Sequence, residues 1–349
     1  DKFSDIYVLL KIILMKILGL GNALTDVLAT LQSDECINEM GLLKGGMQLI
    51  DEDKLLKIMS TFEDFDTVLA SGGSAANAIS GLTRMGISAG FIGKIGQDSY
   101  GRFYKEDMEN NGVVTHLQES NVASGCAMTM ITPDGERTFG TYLGAAATLS
   151  AEDLHPDMFY GYDMLHIEGY LVQDPKLIRK AVKLAQNAKL KISLDMASYN
   201  IVNANLDFFK ELIQEYVDIA FANEEEALAY TGEEPQKAVS ILAKDCEIAI
   251  VKCGSQGSII QKGNKIFNVK ATPAKCIDST GAGDLYAAGF IYALSQHYSL
   301  DTAGEIGSIL SGNVIEVIGT KMDDARWENI KKEVNILVQK KEQCNVFEP

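Results

Sequence analysis

Much of what would classify this chain at a glance is missing from it. Its 349 residues hold 31 Lys and Arg against 48 Asp and Glu, a formal net charge of −17. A nucleic-acid-binding protein needs a basic face, so that class is excluded, and an anionic ligand would have to be met by local cations and backbone donors. There are four histidines, none at metal-ligand spacing, and each reads as a core or surface residue. The six cysteines (Cys36, Cys126, Cys246, Cys253, Cys276 and Cys344) contain no C-x-x-C pair and read as reduced, mostly buried thiols of a cytoplasmic protein. The apolar run at 6–14 is interrupted by Lys11, is too short to span a bilayer and lacks a small-residue cleavage site, so no membrane partner is expected. The G-x-x-x-x-G-K-[ST] loop is absent, as are the H-R-D and D-F-G elements. Gly19-x-Gly21 opens like a dinucleotide fingerprint, but Leu24 stands at the third glycine position and rejects that reading. No internal repeat, low-complexity segment or long linker occurs.

What is present is ordinary for a soluble globular protein: 46% hydrophobic and 23% charged residues, at a length that suits one large α/β domain with an appendage. Met15-Lys16-Ile17-Leu18-Gly19-Leu20-Gly21 reads as a natural start feeding a buried strand. Residues 1–14 are therefore expected to be an upstream extension, and the domain to span 15–340. Asn22 and Asp26 follow at the strand's C-terminal end, where open α/β sheets bind ligands. Residues 28–70 break the strand–helix alternation. Ser71-Gly72-Gly73-Ser74-Ala75-Ala76-Asn77 then gives a Gly-Gly turn opening a small-residue helix, which a cap and packing face explains as well as a ligand site does.

Pro133-Asp134-Gly135 predicts the tip of a β-hairpin joining 125–132 to 136–142. Together, segments of about 28–65 and 112–148 read as a small inserted β lid. Arg137, just past the tip, is either a solvated charge or a group that reaches a phosphate. From Asp163 onward, strands at 164–167, 191–195, 218–222 and 248–251 alternate with helices at about 174–188, 203–216, 223–231 and 235–244. That pattern predicts a central, mostly parallel sheet flanked by helices. Asp195, the Asn223-to-Glu226 run and the Lys252-to-Gly257 run end three successive strands and converge on one crevice, although Asn223 reads equally as a helix cap.

The most informative stretch is Asp278-Ser279-Thr280-Gly281-Ala282-Gly283-Asp284, running into the apolar Leu285-Tyr286-Ala287-Ala288-Gly289-Phe290. Small residues at Gly281, Ala282 and Gly283 let backbone N–H groups close on an anion. The run after them predicts a helix, whose N-terminus also favours negative charge. Asp284 then places a carboxylate beside a nest built for anions. A phosphoryl group held by the nest, with Asp284 taking the proton of the attacking hydroxyl, accounts for both. The plainer alternative is a Gly-rich turn whose Asp favours the helix dipole.

Gly72-Gly73 with Asn77, followed about 200 residues later by Asp278-x-Thr280-Gly281-Ala282-Gly283-Asp284, resemble the two signatures of the ribokinase-type (PfkB) carbohydrate kinases. The resemblance runs from about 16 to 335. Within that family, Gly21-Asn22-Ala23-Leu24-Thr25-Asp26, Asp134-Gly135-Glu136-Arg137-Thr138, Thr141-Tyr142-Leu143-Gly144-Ala145-Ala146 and Glu168-Gly169-Tyr170-Leu171 are similar to stretches of bacterial-type adenosine kinases. The resemblance implies a ribokinase-like fold and ATP-dependent phosphorylation of the 5′-hydroxyl of adenosine or a close nucleoside. The alternatives are a kinase of ribose, fructose or a related sugar, or a non-catalytic sensor. It also implies roles. Asp284 would be the general base, the Gly281, Ala282 and Gly283 N–H groups the anion hole, and Arg137 a lid cation over substrate or phosphate. Asp26, Gly72, Gly73 and Asn77, with Asn22 beside them, would hold ribose hydroxyls. Asn223 and Glu226 would organise Mg²⁺ and its waters around ATP, while Gly254, Gly257 and Asn313 would line the ATP site. Asp278 and Gly319 would border a monovalent-cation site for K⁺. Monomer and homodimer are both compatible with such a lid.

Overall fold

Short apolar runs with no polar face become the centre of the molecule. In the computed structural model, which describes residues 15–62, 65–133 and 137–346, β1 (Ile17–Leu20) is buried at every position. The expected extension at 1–14 and the hairpin-tip residues Asp134, Gly135 and Glu136 lie outside the described residues. The remaining strands are β2 (Leu24–Thr30), β3 (Met47–Leu49), β4 (Thr67–Gly72), β5 (Ala89–Gly96), β6 (Val113–Ser120), β7 (Gly125–Ile131), β8 (Arg137–Tyr142), β9 (Met164–Glu168), β10 (Lys191–Asp195), β11 (Ile219–Asn223), β12 (Ile248–Lys252), β13 (Ser258–Lys262) and β14 (Lys265–Val269). Nine form one sheet in the order β14-β13-β12-β11-β10-β9-β1-β5-β6, parallel from β12 to β6 and antiparallel only at the β12-β13-β14 edge. Successive side chains on a strand point to opposite faces, so Ile17, Phe91, Phe221 and Ile250 enter one core and Leu18, Ile92, Ala222 and Val251 the other. Both faces are covered by helices, as the ribokinase-like α/β fold requires. Among the described residues no helix is long and apolar enough to cross a membrane.

The other five strands form a second sheet, β3-β8-β7-β2-β4, with its own core around Val27, Ile37, Leu55, Ile58, Met128 and Met130. The expected β7–β8 hairpin is there, antiparallel from Cys126 opposite Tyr142 to Ile131 opposite Arg137. The second sheet does not coincide with the segments 28–65 and 112–148 expected to form a lid. The second sheet begins at Leu24 and includes Thr67–Gly72, whereas 113–120 is β6, hydrogen-bonded along β5 of the large sheet. Each of these strands mixes small or polar residues with its apolar ones (Leu-Thr-Asp-Val-Leu-Ala-Thr in β2), so neither was conspicuous as a run. Asp26 accordingly sits within a strand of the second sheet rather than in the loop leaving β1. The helix expected at 203–216 is two, Tyr199–Ala204 and Leu206–Tyr216, broken at Asn205. The cysteines are also less buried than expected: Cys126 and Cys253 are buried, Cys36 and Cys246 half-buried and Cys276 exposed.

Candidate active site

The parallel strands β10, β11 and β12 end side by side at Asp195, Asn223 and Lys252. Their carboxyl ends open into a cleft of about 1110 Å³, lined also by Gly73, Ser74 and Asn77 and by residues of the 279–284 loop. This is where an open α/β sheet binds ligands. The helix Ala282–Ser295 starts here with Gly281 as its cap, at φ +75°, a left-handed turn that glycine adopts without strain. Asp284 follows in the first turn. Ala282, Gly283 and Asp284 line the cleft; Gly281 does not, and the Ala282 N–H closes a turn onto Ser279 O at 3.2 Å.

Asp284 is held by two side chains of the segment that follows Gly73. Ser74 Oγ donates to its Oδ1 at 2.7 Å and Asn77 Nδ2 to its Oδ2 at 2.9 Å. Asn77 Oδ1 in turn accepts from Thr320 Oγ1 at 3.0 Å. Removal from water raises the Asp284 carboxyl to about 6, against the lowering effect of those two hydrogen bonds and of Lys252. The result is a fixed carboxylate with a pKa near neutrality, the condition a general base needs. Ser74 escaped the sequence reading because a serine opening a helix reads as a cap; what singles it out is a partner 210 residues away. Asn77, expected on a ribose, spends its amide orienting Asp284 and keeps one N–H for other use.

The helix Ser74–Arg84 is seated by Gly73, at φ +100°, where a Cβ would fall 2.1 Å from Asn22 O. A Cβ on Gly72 would stand 2.5 Å from both Asp26 carboxylate oxygens, so that glycine makes room for Asp26, which lines the cleft. Burial pushes Asp26 up to about 7, with Lys321 lowering it and Asp284 raising it. Asn22 is buried beside the cleft rather than in its wall, donating from Nδ2 to Glu168 Oε1 at 2.5 Å and from its backbone to Oε2 at 3.3 Å. Glu168 also accepts from Ala75 N at 3.2 Å; burial raises it to about 7 despite those donors.

At the other end, Asn223 and Glu226 form a reciprocal capping box on the helix Glu224–Thr231. Asn223 N and Nδ2 donate to the two Glu226 oxygens at 2.7 and 2.8 Å, and Glu226 N returns a bond to Asn223 Oδ1. The cap reading of Asn223 therefore holds, and both residues also line the cleft with Gly254 and Gly257. Glu226 is buried and raised to about 7, chiefly by desolvation. Asn313 does not line the cleft. Ser308, Ser311, Gly312 and Ile315 do, the i, i+3, i+4, i+7 face of the helix Leu300–Val314 and its end, while Asn313 Nδ2 turns back to Ile309 O at 3.0 Å. Asp278 Oδ1 accepts from Thr280 N and Oγ1, and Oδ2 from Gly319 N at 2.7 Å; Arg137 completes an ion pair with it. Gly319 thus offers Asp278 an N–H donor, and the Arg137 guanidinium stands beside the carboxylate expected to border K⁺. Among the described residues no three His, Cys, Asp or Glu side chains gather as a metal site.

A family model described as pfkB family carbohydrate kinase matches residues 47–325. The structure resembles a probable sugar kinase from Rhizobium etli, with a TM-score of 0.81 and 30% identity, covering 92% of this chain and 98% of that one. It resembles an adenosine kinase from Sinorhizobium meliloti equally, with a TM-score of 0.81 and 32% identity, covering 92% and 99%. A 5-dehydro-2-deoxygluconokinase from Bacillus licheniformis is 29% identical over 260 residues, covering 70% of this chain and 80% of the relative.

Proposed function

Since the chain belongs to the pfkB family of carbohydrate kinases, and is thereby a kinase of the sugar and nucleoside type, we propose that it transfers the γ-phosphoryl group of ATP to the 5′-hydroxyl of adenosine or a close nucleoside. The observation that carries the chemistry is Asp284: an oriented carboxylate, raised to about 6, in the cleft wall at a helix N-terminus. In this reading Asp284 accepts the hydroxyl proton, and the loop N–H groups with the helix dipole take up charge on the phosphoryl group. Asp26 grips ribose hydroxyls beside Gly72 and Gly73. The 254–257 turn and the 308–315 face hold the nucleotide, in a cleft large enough for two ligands side by side. Glu226, with Asn223, would hold Mg²⁺ through water, and Mg²⁺ would supply charge neutralisation on the polyphosphate. Arg137 comes from the second sheet, which as a lid excludes the water that would otherwise hydrolyse ATP.

The identity of 32% over nearly the whole chain to an adenosine kinase supports the nucleoside acceptor. The sugar reading draws on the gluconokinase relative and the probable sugar kinase. ADP release with adenosine, inosine, ribose, fructose and 5-dehydro-2-deoxygluconate, assayed side by side, separates them. Adenosine is expected to show the highest kcat/KM; a free sugar in first place would replace the nucleoside reading.

The ionisations set a pH profile. Asp284 must be deprotonated to act, so kcat/KM should fall as pH drops through about 6. Asp26, raised to about 7, loses acceptor charge in the same range, so the acid limb should be steeper than one ionisation gives. A profile flat from pH 8 to pH 5 would contradict both assignments.

A further inference from the structure

The cleft is an unfavourable place for a polyphosphate. Asp26, Asp195, Glu224, Glu225, Glu226 and Asp284 all line it, and among the described residues Lys252 is the only Lys or Arg that does. Lys252 ends β12, and its Nζ donates to Asp195 Oδ2 at 2.7 Å. Asp195 is itself fixed, since its Oδ1 accepts from Ala197 N at 3.0 Å. The ammonium reaches the anion loop: a Cβ built on Gly283 would lie 3.0 Å from Nζ and 3.9 Å from Cε. The absence of a side chain at 283 is therefore what lets the cation stand against the loop. An ammonium has three N–H donors, and among the described residues Asp195 is its hydrogen-bond partner, so donors remain for a ligand. A purely structural lysine would need only Asp195; it would not need to lie in the cleft wall against the helix N-terminus.

We propose that Lys252 is a catalytic residue whose ammonium, aimed by Asp195, contacts the transferring phosphoryl group at the 281–284 loop. This rests on the phosphotransfer reading above. In the step, the acceptor oxygen bonds to phosphorus, the bond from phosphorus to the ADP oxygen breaks, and the hydroxyl proton goes to Asp284. Lys252 stays protonated throughout and offsets charge on the equatorial oxygens. The surrounding groups keep it charged: Asp195, Glu226 and Asp284 raise its pKa against desolvation. Buried His166, lowered to about 4 mainly by desolvation, adds no competing cation near neutrality.

The test compares Lys252→Met, Lys252→Arg and Asp195→Asn with wild type. Removing the cation should lower turnover about 10²–10³-fold and weaken calorimetric binding of inorganic tripolyphosphate, with the arginine variant retaining part of that affinity and Asp195→Asn falling between. The acid limb should also move to higher pH in Lys252→Met. Asp284 is faced by Ser74, Asn77, Asp26, Glu168, Asp195 and Lys252, and of these charged neighbours only Lys252 lowers its pKa. A structural lysine would move that limb as well, so the phosphoryl contact itself is read from turnover and tripolyphosphate affinity. Should Lys252→Met not fold, the Lys252→Met/Asp195→Asn pair leaves no orphaned carboxylate and is read by tripolyphosphate binding alone. Active wild type with unchanged turnover and tripolyphosphate affinity in Lys252→Met overturns the proposal. Inactive wild type instead removes the phosphotransfer reading, and unchanged tripolyphosphate affinity in the variant then overturns the anion contact as well.

Discussion

Asp284→Asn is expected to lose about 10²–10⁴-fold in turnover while keeping the fold and its melting temperature. The amide fills the same volume, and the Ser74 hydroxyl can still donate to its oxygen, so the wall of the cleft survives. What disappears is the only function an amide cannot perform, acceptance of a proton. The stability side has a definite sign. The carboxyl is raised from 3.8 to about 6 in the folded protein, so folding favours its protonated form. That favourable contribution is complete below about pH 4 and is lost as pH rises through 6. Above pH 6 the wild type therefore carries a desolvated charge that the amide lacks, and the variant should melt no lower than wild type at pH 8. Coupled ADP-release assays and thermal melts at pH 5 and pH 8 measure both. Turnover within a few-fold of wild type would remove the base from the mechanism, whatever the melts show.

How much of this could be read from the chain depended on how locally each feature was encoded. The 278–284 loop and the strands from β9 to β12 were legible because their signals are contiguous: small residues before an apolar helix, and apolar runs bounded by helices. The second sheet was not, since β2 pairs with β4 and β7, partners about 40 and 100 positions away, and its residues alternate without standing out. The same distinction divides the site. Asp284 announces itself beside three small residues, whereas Ser74 and Glu168 acquire their positions only from partners more than 90 residues away. Asn313 fails for a helical reason: a residue one step from the lining face points elsewhere, and a one-dimensional reading cannot phase a helix that is apolar nearly all round. Asn223 and Glu226 illustrate a third case, where the local cap and a place in the cleft are compatible and the sequence pattern alone could not require both.

Arg137→Met should be costly twice over, and the two costs can be separated. Its guanidinium pairs with Asp278 where both side chains are almost covered, 11% and 7% exposed. Breaking a buried pair from one side costs about 3–5 kcal/mol. Asp278 keeps the donors of Thr280 and Gly319, which places the expected loss toward the lower end. The pair also joins β8 of the second sheet to the residue that opens the 278–284 loop, so the same substitution unfastens the second sheet from that loop. Among the described residues Arg137 Nε is buried without a partner, an N–H that a substrate or phosphate oxygen would satisfy. Turnover should accordingly fall about 10²–10³-fold, the usual effect of removing one charge-stabilising donor. Urea denaturation and steady-state kinetics on the single variant and on Arg137→Met/Asp278→Asn distinguish these contributions. Neutralising Asp278 removes the orphaned carboxylate, so the double variant should recover much of the lost stability. Asp278→Asn alone weakens the fastening but keeps the guanidinium, so it should retain most of the turnover if the guanidinium acts on the ligand, and lose about as much as Arg137→Met if Arg137 is only a fastening for the loop.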